Sequence, residues 1–276
     1  MNEPLEFEIP ARDGRSLAAS LYGTSGPLVV ICPATAVRRR FYRAFAEYLV
    51  GRGFRVLTFD YRGVGGSLRG KLRADDATMR QWGELDTAGV LDWIAAELSP
   101  QRLLVVAHSV GGQLLGLLPN HGMIDAAVTI SCQSGFWGHW PWPGRARVLL
   151  LWYLLIPAAS TLCGYFPSKL FGVGENLPAG VARQWARWGR RPSYLIDGPD
   201  DEAAFADFRR PMRAYSVDDD GYAPVAAVDA LHRLYRGADV ERVHLETPLG
   251  HFGFFRRGAP EELWRGVADW FVQVGD

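Results

Sequence analysis

Three kinds of side chain, in one order along the chain, can do covalent chemistry together: Ser109, a run of acids at 218–220, and His251. A serine hydroxyl is a poor nucleophile until a base takes its proton, and the base must be oriented by a third group. Ser109 lies in residues 103–113, Leu-Leu-Val-Val-Ala-His-Ser-Val-Gly-Gly-Gln. A short β-branched and leucine run stops at Ala107, the serine follows His108, and two glycines lead into an apolar helical pattern. This predicts a strand–turn–helix with serine at its apex, a nucleophile elbow of general form Gly-x-Ser-x-Gly. Ala107 stands in the first glycine position and Gly111 keeps the second. Small residues are needed at both because strand and helix nearly touch around the serine.

In this arrangement the partners follow in the order serine, acid, histidine. Asp218, Asp219 and Asp220 come directly after a predicted strand at 212–217. Asp220 is the first choice because it precedes Gly221-Tyr222-Ala223-Pro224, a turn that starts the next helix at a proline; Asp219 is the second. Three consecutive acids do not match the alternating spacing of a calcium loop. His251 follows the last predicted strand by four residues, in Leu249-Gly250-His251-Phe252-Gly253-Phe254-Phe255. Among the other histidines, His244 falls within a strand and His232 within a helix. His121 and His139 have no motif around them, and His108 shapes the elbow. A tetrahedral intermediate needs donors aimed at its oxyanion. The expected donors are the N–H of Val110 and one from the loop Pro33-Ala34-Thr35-Ala36. Pro33 has no N–H, so Thr35 is chosen, with Ala34 and Ala36 as alternatives. Arg38-Arg39-Arg40 beyond that loop reads as a solvated basic face, with an anionic-substrate contact as its alternative.

The elements that must position these residues alternate. Strands are predicted at 6–10, 17–22, 27–32, 55–60, 103–107, 126–132, 212–217 and 241–247. Helices are predicted at 41–50, 82–98, 224–235 and 260–272, with one following the serine. Strands alternating with helices imply an α/β protein with a mostly parallel sheet covered on both faces. From 133 to 208 the rhythm breaks. This stretch holds six of the ten tryptophans (Trp137, Trp140, Trp142, Trp152, Trp185, Trp188). The expected organisation is a catalytic domain of 1–132 and 209–276, interrupted by a Trp-rich cap, 133–208. The cap tryptophans form either its own small core or the wall of an apolar acyl pocket.

Bulk properties narrow the class. Apolar residues make up 48% and charged residues 22%, ordinary for a soluble domain. Lys+Arg and Asp+Glu are 30 each, so overall charge points to neither nucleic acid nor an anionic membrane. Three cysteines (Cys32, Cys132, Cys163) show no metal spacing and fit a reducing compartment. The acidic start lacks the build of a signal peptide, so a cytoplasmic location is expected. Residues 148–168 carry no charge over 21 positions. A membrane span needs about 20 mostly apolar residues, but Pro157, Ser160, Thr161, Gly164 and Pro167 dilute this run. A buried or cap helix is expected, with peripheral lipid contact the less favoured reading.

With these residues in view, the chain resembles the α/β-hydrolase superfamily over nearly its whole length. Asp60-Tyr61-Arg62-Gly63-Val64-Gly65-Gly66-Ser67 resembles the family's D-x-R-G-x-G-x-S loop, and His108-Ser109-Val110-Gly111-Gly112 its elbow. Three further pieces resemble a poorly characterised bacterial branch near the serine aminopeptidase and monoacylglycerol lipase-like hydrolases. They are Phe41-Tyr42-Arg43-Ala44-Phe45-Ala46, Gln184-Trp185-Ala186-Arg187-Trp188 and Gly250-His251-Phe252-Gly253-Phe254-Phe255-Arg256. The resemblance implies the α/β-hydrolase fold, a Ser109–His251–Asp220 triad with Val110 and Thr35 as oxyanion donors, and no metal or organic cofactor. The expected activity is that of a serine hydrolase cleaving an ester, thioester or amide; the substrate does not follow from the resemblance, and the small apolar acyl group is suggested by the Trp- and Leu-rich cap. An acyltransferase on the same triad and a binding protein that kept the fold are the alternatives. A dehalogenase would want a carboxylate where Ser109 stands.

Overall fold

Runs of valine, isoleucine and leucine without alternation have no side to turn toward water, so they pair where both faces are covered. In the computed structural model, which describes residues 3–172 and 174–275, they build the middle of one sheet. Its strands are β1 (Leu5–Pro10), β2 (Ser16–Tyr22), β3 (Leu28–Cys32), β4 (Arg55–Phe59), β5 (Leu103–His108) and β6 (Ala126–Ile130). A separate two-stranded pair, β7 (Tyr165–Phe166) and β8 (Leu177–Pro178), comes next, and β9 (Met212–Val217) and β10 (Val240–Leu245) complete the main sheet. The spatial order is β1-β2-β4-β3-β5-β6-β9-β10. β2 runs antiparallel to both of its neighbours, and the remaining pairings are parallel. Every residue of β3, β5 and β6 is buried, whereas β1 at the edge alternates Leu5, Phe7 and Ile9 with Glu6 and Glu8.

The sheet register explains the room beneath the serine. Cys32 pairs with Ala107, Ala107 with Thr129, and Thr129 with Ala214, so a row of small side chains crosses four strands. The helix after the elbow, Val110–Leu114, lies over this row with the helix at 79–98, Pro199–Asp207 and Val225–His232. Helices Arg43–Gly51 and Glu261–Gln273 cover the other face through Phe45, Leu49, Trp264 and Phe271. The 79–98 helix opens three residues before the sequence-based start. Thr78 forms a capping box there, with its N–H bonded to Gln81 Oε1 at 2.8 Å. Expected strand 126–132 stops at Ile130 and expected helix 224–235 stops at His232.

Between β6 and β9 the chain makes the helix Gly144–Cys163, the β7–β8 pair, and helices Ala179–Gly189 and Pro199–Asp207. Trp152 and Trp185 meet edge to face, with centroids 4.7 Å apart, and join the first helix to the second. The third helix instead rests on the main helical layer, where the Phe205 ring packs on Tyr235 and fills the space that a Cβ at Gly116 would need. The helix Gly144–Cys163, expected as a buried or cap helix, is formed but is not a buried element. Only 17% of its most apolar 18-residue window is buried.

Candidate active site

Parallel strands that share a direction present their carboxyl ends along one edge, and the loops leaving that edge form the natural crevice of an α/β sheet. Ser109 leaves β5 there with φ 52° and ψ −114°, a conformation that side chains avoid. The turn is held by its neighbours. Ser109 N–H donates to the Ile130 carbonyl at 3.0 Å, and the Ser109 carbonyl accepts from Gly112 N–H at 3.1 Å. A Cβ on Gly111 would lie 2.4 Å from the Cys32 carbonyl oxygen, and one on Gly112 2.4 Å from Cys132 Sγ. Ala107, fully buried between Cys32 and Thr129, fits as the slightly larger substitute for glycine.

Asp220 and His251 arrive from the ends of β9 and β10. His251 Nδ1 lies 2.8 Å from Asp220 Oδ2, while Asp220 Oδ1 accepts the N–H groups of Tyr222 and Ala223 at 2.8 and 2.9 Å. Burial raises a carboxyl pKa, yet the bond and charge of His251, with the Tyr222 N–H, hold Asp220 below the ordinary carboxylate range. With Nδ1 engaged by the carboxylate, Nε2 is the ring nitrogen left to take a proton. Asp219, the second choice, serves the loop instead. Its Oδ1 accepts from Gly250 N–H at 2.7 Å, and Asp218 is exposed.

Ser109 and His251 line one cavity of about 360 Å³ together with Ala34 and Thr35. Its far walls are Trp140, Arg147, Val148, Leu151, Trp152 and Trp185. Of the tryptophans between 133 and 208, these three face the cavity, Trp188 is buried and Trp142 is exposed. In the loop after β3, the Ala34 N–H is taken by Tyr42 Oη at 2.8 Å. Thr35 differs. Its N–H meets no acceptor among the described residues, and its hydroxyl is buried without a partner. Val110 opens its helix, so its N–H has no acceptor within that helix. The Arg38–Arg40 run does not line this cavity. Arg38 pairs with Glu175 at 2.5 Å, and Arg39 donates to Asp60 through its N–H and its guanidinium, at 2.6 and 2.5 Å.

Two polar links were not legible in the chain order. His108 Nε2–H donates to the His251 carbonyl at 2.8 Å, which leaves Nδ1 to accept from Tyr42 Oη at 2.9 Å. Burial, with the nearby charge of His251, lowers the His108 pKa to about 3, so the ring is neutral. One buried path thus runs from Ala34 through Tyr42 and His108 to the backbone of His251. The second link fastens the cap. Tyr194 Oη donates to Gln113 Oε1 at 2.7 Å, Gln113 reaches Gln133 at 3.2 Å, and Gln133 donates to the Tyr222 carbonyl at 3.1 Å. Trp140 Nε1 adds a bond to the Gly221 carbonyl at 3.0 Å. Gln113, a polar residue within the apolar elbow helix, was the signal for that network. The remaining histidines stay outside the cavity; buried His232, for one, bonds Thr129 and the Val228 carbonyl.

Similar proteins agree with this architecture. An uncharacterised protein of Mycobacterium tuberculosis is 27% identical over 202 residues, 69% of each chain. Among solved structures, an esterase from Exiguobacterium antarcticum superposes with a TM-score of 0.69 at 17% identity, covering 99% of this chain and 100% of its own. Esterase Pf2001 of Pyrococcus furiosus gives 0.68 at 17% identity, covering 98% and 91%. Est1E of Butyrivibrio proteoclasticus, solved with ferulic acid bound, gives 0.63 at 18% identity, covering 97% and 98%. At these identities the structural likeness speaks for the fold. The family pattern described as the alpha/beta hydrolase family matches residues 29–265, and with that match over most of its length the chain belongs to the alpha/beta hydrolase family.

Proposed function

We propose that the protein is a serine hydrolase that cleaves an ester of a small, apolar acyl group through an acyl-enzyme. One observation carries this reading. A serine held at φ 52° and ψ −114° shares a cavity with a histidine whose far nitrogen is bonded to a buried carboxylate. In the proposed reaction Ser109 Oγ attacks the acyl carbon while its proton passes to His251 Nε2, and Asp220 orients and balances the resulting imidazolium. The carbonyl oxygen becomes an oxyanion facing the N–H groups of Val110 and Thr35, with the Thr35 hydroxyl as a further donor. Collapse returns the proton from His251 to the departing alcohol. Water then repeats the sequence on the acyl-enzyme, which frees the acid and restores Ser109. The free Thr35 N–H, against the occupied one of Ala34, supports Thr35 as the loop donor. The indole walls support an apolar or aromatic acyl group, because such pockets gain most of their affinity from buried apolar area.

Turnover of 4-nitrophenyl esters from acetyl to dodecanoyl tests the proposal. The wild type is expected to hydrolyse part of the series, and Ser109→Ala to lower kcat/KM by at least roughly 10³-fold. A folded Ser109→Ala protein that keeps the wild-type rate would refute the assignment.

A further inference from the structure

Large apolar side chains at the surface of a soluble protein normally occur singly, and a contiguous group marks a contact. Here they gather. Among the described residues, seven of the eleven exposed large apolar side chains fall between 142 and 171. Leu162 and Leu170 are 84% and 82% exposed, Trp142 66% and Leu154 56%. The helix Gly144–Cys163 is apolar on both edges. Val148, Leu151 and Trp152 face the catalytic cavity, while Leu150, Tyr153 and Leu154 turn outward.

The part of the cap that carries this surface is basic. Residues 133–196 contain six arginines and one lysine against a single acid, Glu175, while the cap's other acids, Asp197, Asp200, Asp201, Glu202 and Asp207, lie at or within helix Pro199–Asp207, which rests on the main helical layer. Several of these cations sit against the apolar surface itself. The Arg190 guanidinium lies 4.9 Å from the centre of the exposed Tyr153 ring, and Arg145 lies 5.9 Å from that of Trp142. Arg183 donates to the Ser160 carbonyl of the apolar helix, and Lys169, paired with Glu175 at 2.9 Å, precedes Leu170 in the chain. Arg187 is exposed and has no acidic partner among the described residues. Apolar and aromatic side chains ringed by arginine and lysine are the composition that beds into the headgroup region of an anionic bilayer.

We propose that the outer face of the cap docks on a lipid surface bearing anionic headgroups, with Leu154, Leu162 and Leu170 entering the acyl boundary. The helix lies in the plane of the surface. Its inner edge is committed to the cavity and to helix Ala179–Gly189, so it does not span. The charge complementarity selects a membrane over a second copy of the chain, since two such caps would bring like charges together. The same helix forms a cavity wall, so docking sets the pocket beside the lipid phase.

Flotation of the 276-residue chain with phosphatidylcholine vesicles, with and without roughly 30% phosphatidylglycerol, reads this directly and without turnover. The expected result is strong binding to the anionic vesicles, weak binding to the neutral ones, and release by salt. Leu154→Glu combined with Leu162→Glu is expected to weaken the partition by at least roughly tenfold, and Lys169→Gln with Arg187→Gln by roughly tenfold on anionic vesicles alone. Hydrolysis of a short water-soluble ester should be unchanged in the leucine variant, since both positions are exposed and outside the cavity lining. Failure to float, or flotation indifferent to lipid charge or to the leucine substitutions, would overturn the proposal. So would a dimer that the leucine variant dissociates while vesicle binding is absent. If the ester reading fails, the flotation result still stands on its own.

Discussion

His108 carries a role that its place beside the serine did not disclose. It is a neutral ring with both nitrogens bonded, and Tyr42 connects it to the loop that holds Thr35. Tyr42→Phe strands the Ala34 N–H and His108 Nδ1 in an apolar interior, where an unpaired group costs about 1–3 kcal/mol. The expected outcome is a lower kcat with KM little changed, because in the proposed reaction the loops carrying Thr35 and His251 would both meet the transition state and would lose a shared anchor; a rise in KM alone would contradict this. Asp220→Asn is expected to lower kcat by roughly 10³- to 10⁴-fold with little loss of folded protein, as a misdirected imidazole tautomer should. Asp219→Asn should cost far less, and steady-state rates of the two variants separate them. The order serine–acid–histidine was legible along the chain. The backbone separates the three adjacent acids: Asp220 is the one whose Oδ1 takes two N–H groups of the following turn and whose Oδ2 meets His251.

The elbow stores strain that its surroundings hold in place. A non-glycine residue in such a region costs on the order of 1–3 kcal/mol. Ser109→Gly should therefore raise stability by about 1 kcal/mol in urea unfolding while removing the proposed nucleophile; a destabilised glycine variant would contradict the strain argument. Gly111→Ala should do the reverse. Its Cβ would meet the backbone carbonyl of Cys32 in the centre of the sheet at 2.4 Å, and that oxygen cannot step aside as a side-chain end could. A loss of roughly 3 kcal/mol or more, or failure to fold, is expected on thermal unfolding. At this scale the sequence was most readable: apolar runs marked β3, β5 and β6, and the serine followed by Gly111 and Gly112 marked the end of β5. It was least readable between β6 and β9. Helix Pro199–Asp207 has little amphipathic pattern, and its anchor, Phe205 over Gly116 and Tyr235, depends on residues far away in the chain.

Over the whole molecule, two buried histidines couple stability to pH. Burial, with the charge of His251, lowers the His108 pKa from 6.5 to about 3. Burial likewise lowers His232 from 6.5 to about 4. Depressed values mean that the unfolded chain takes up protons that the folded chain refuses. Stability is therefore complete above about pH 6.5 and falls as pH drops toward these lowered values, by about 1.4 kcal/mol per pH unit for each group. His108→Gln should remove one proton from that slope in urea titrations between pH 6 and 4.5; an unchanged slope would contradict the neutral ring. The loops that leave the carboxyl ends of β3, β5, β9 and β10 and the inner face of the cap line one cavity, and the proposed reaction needs Ser109 to be an activated nucleophile there. Labelling with a fluorophosphonate probe, followed by mass mapping, tests that most directly. One adduct is expected, on Ser109, absent from Ser109→Ala. Folded wild-type protein that takes no label, or takes it elsewhere, would contradict it.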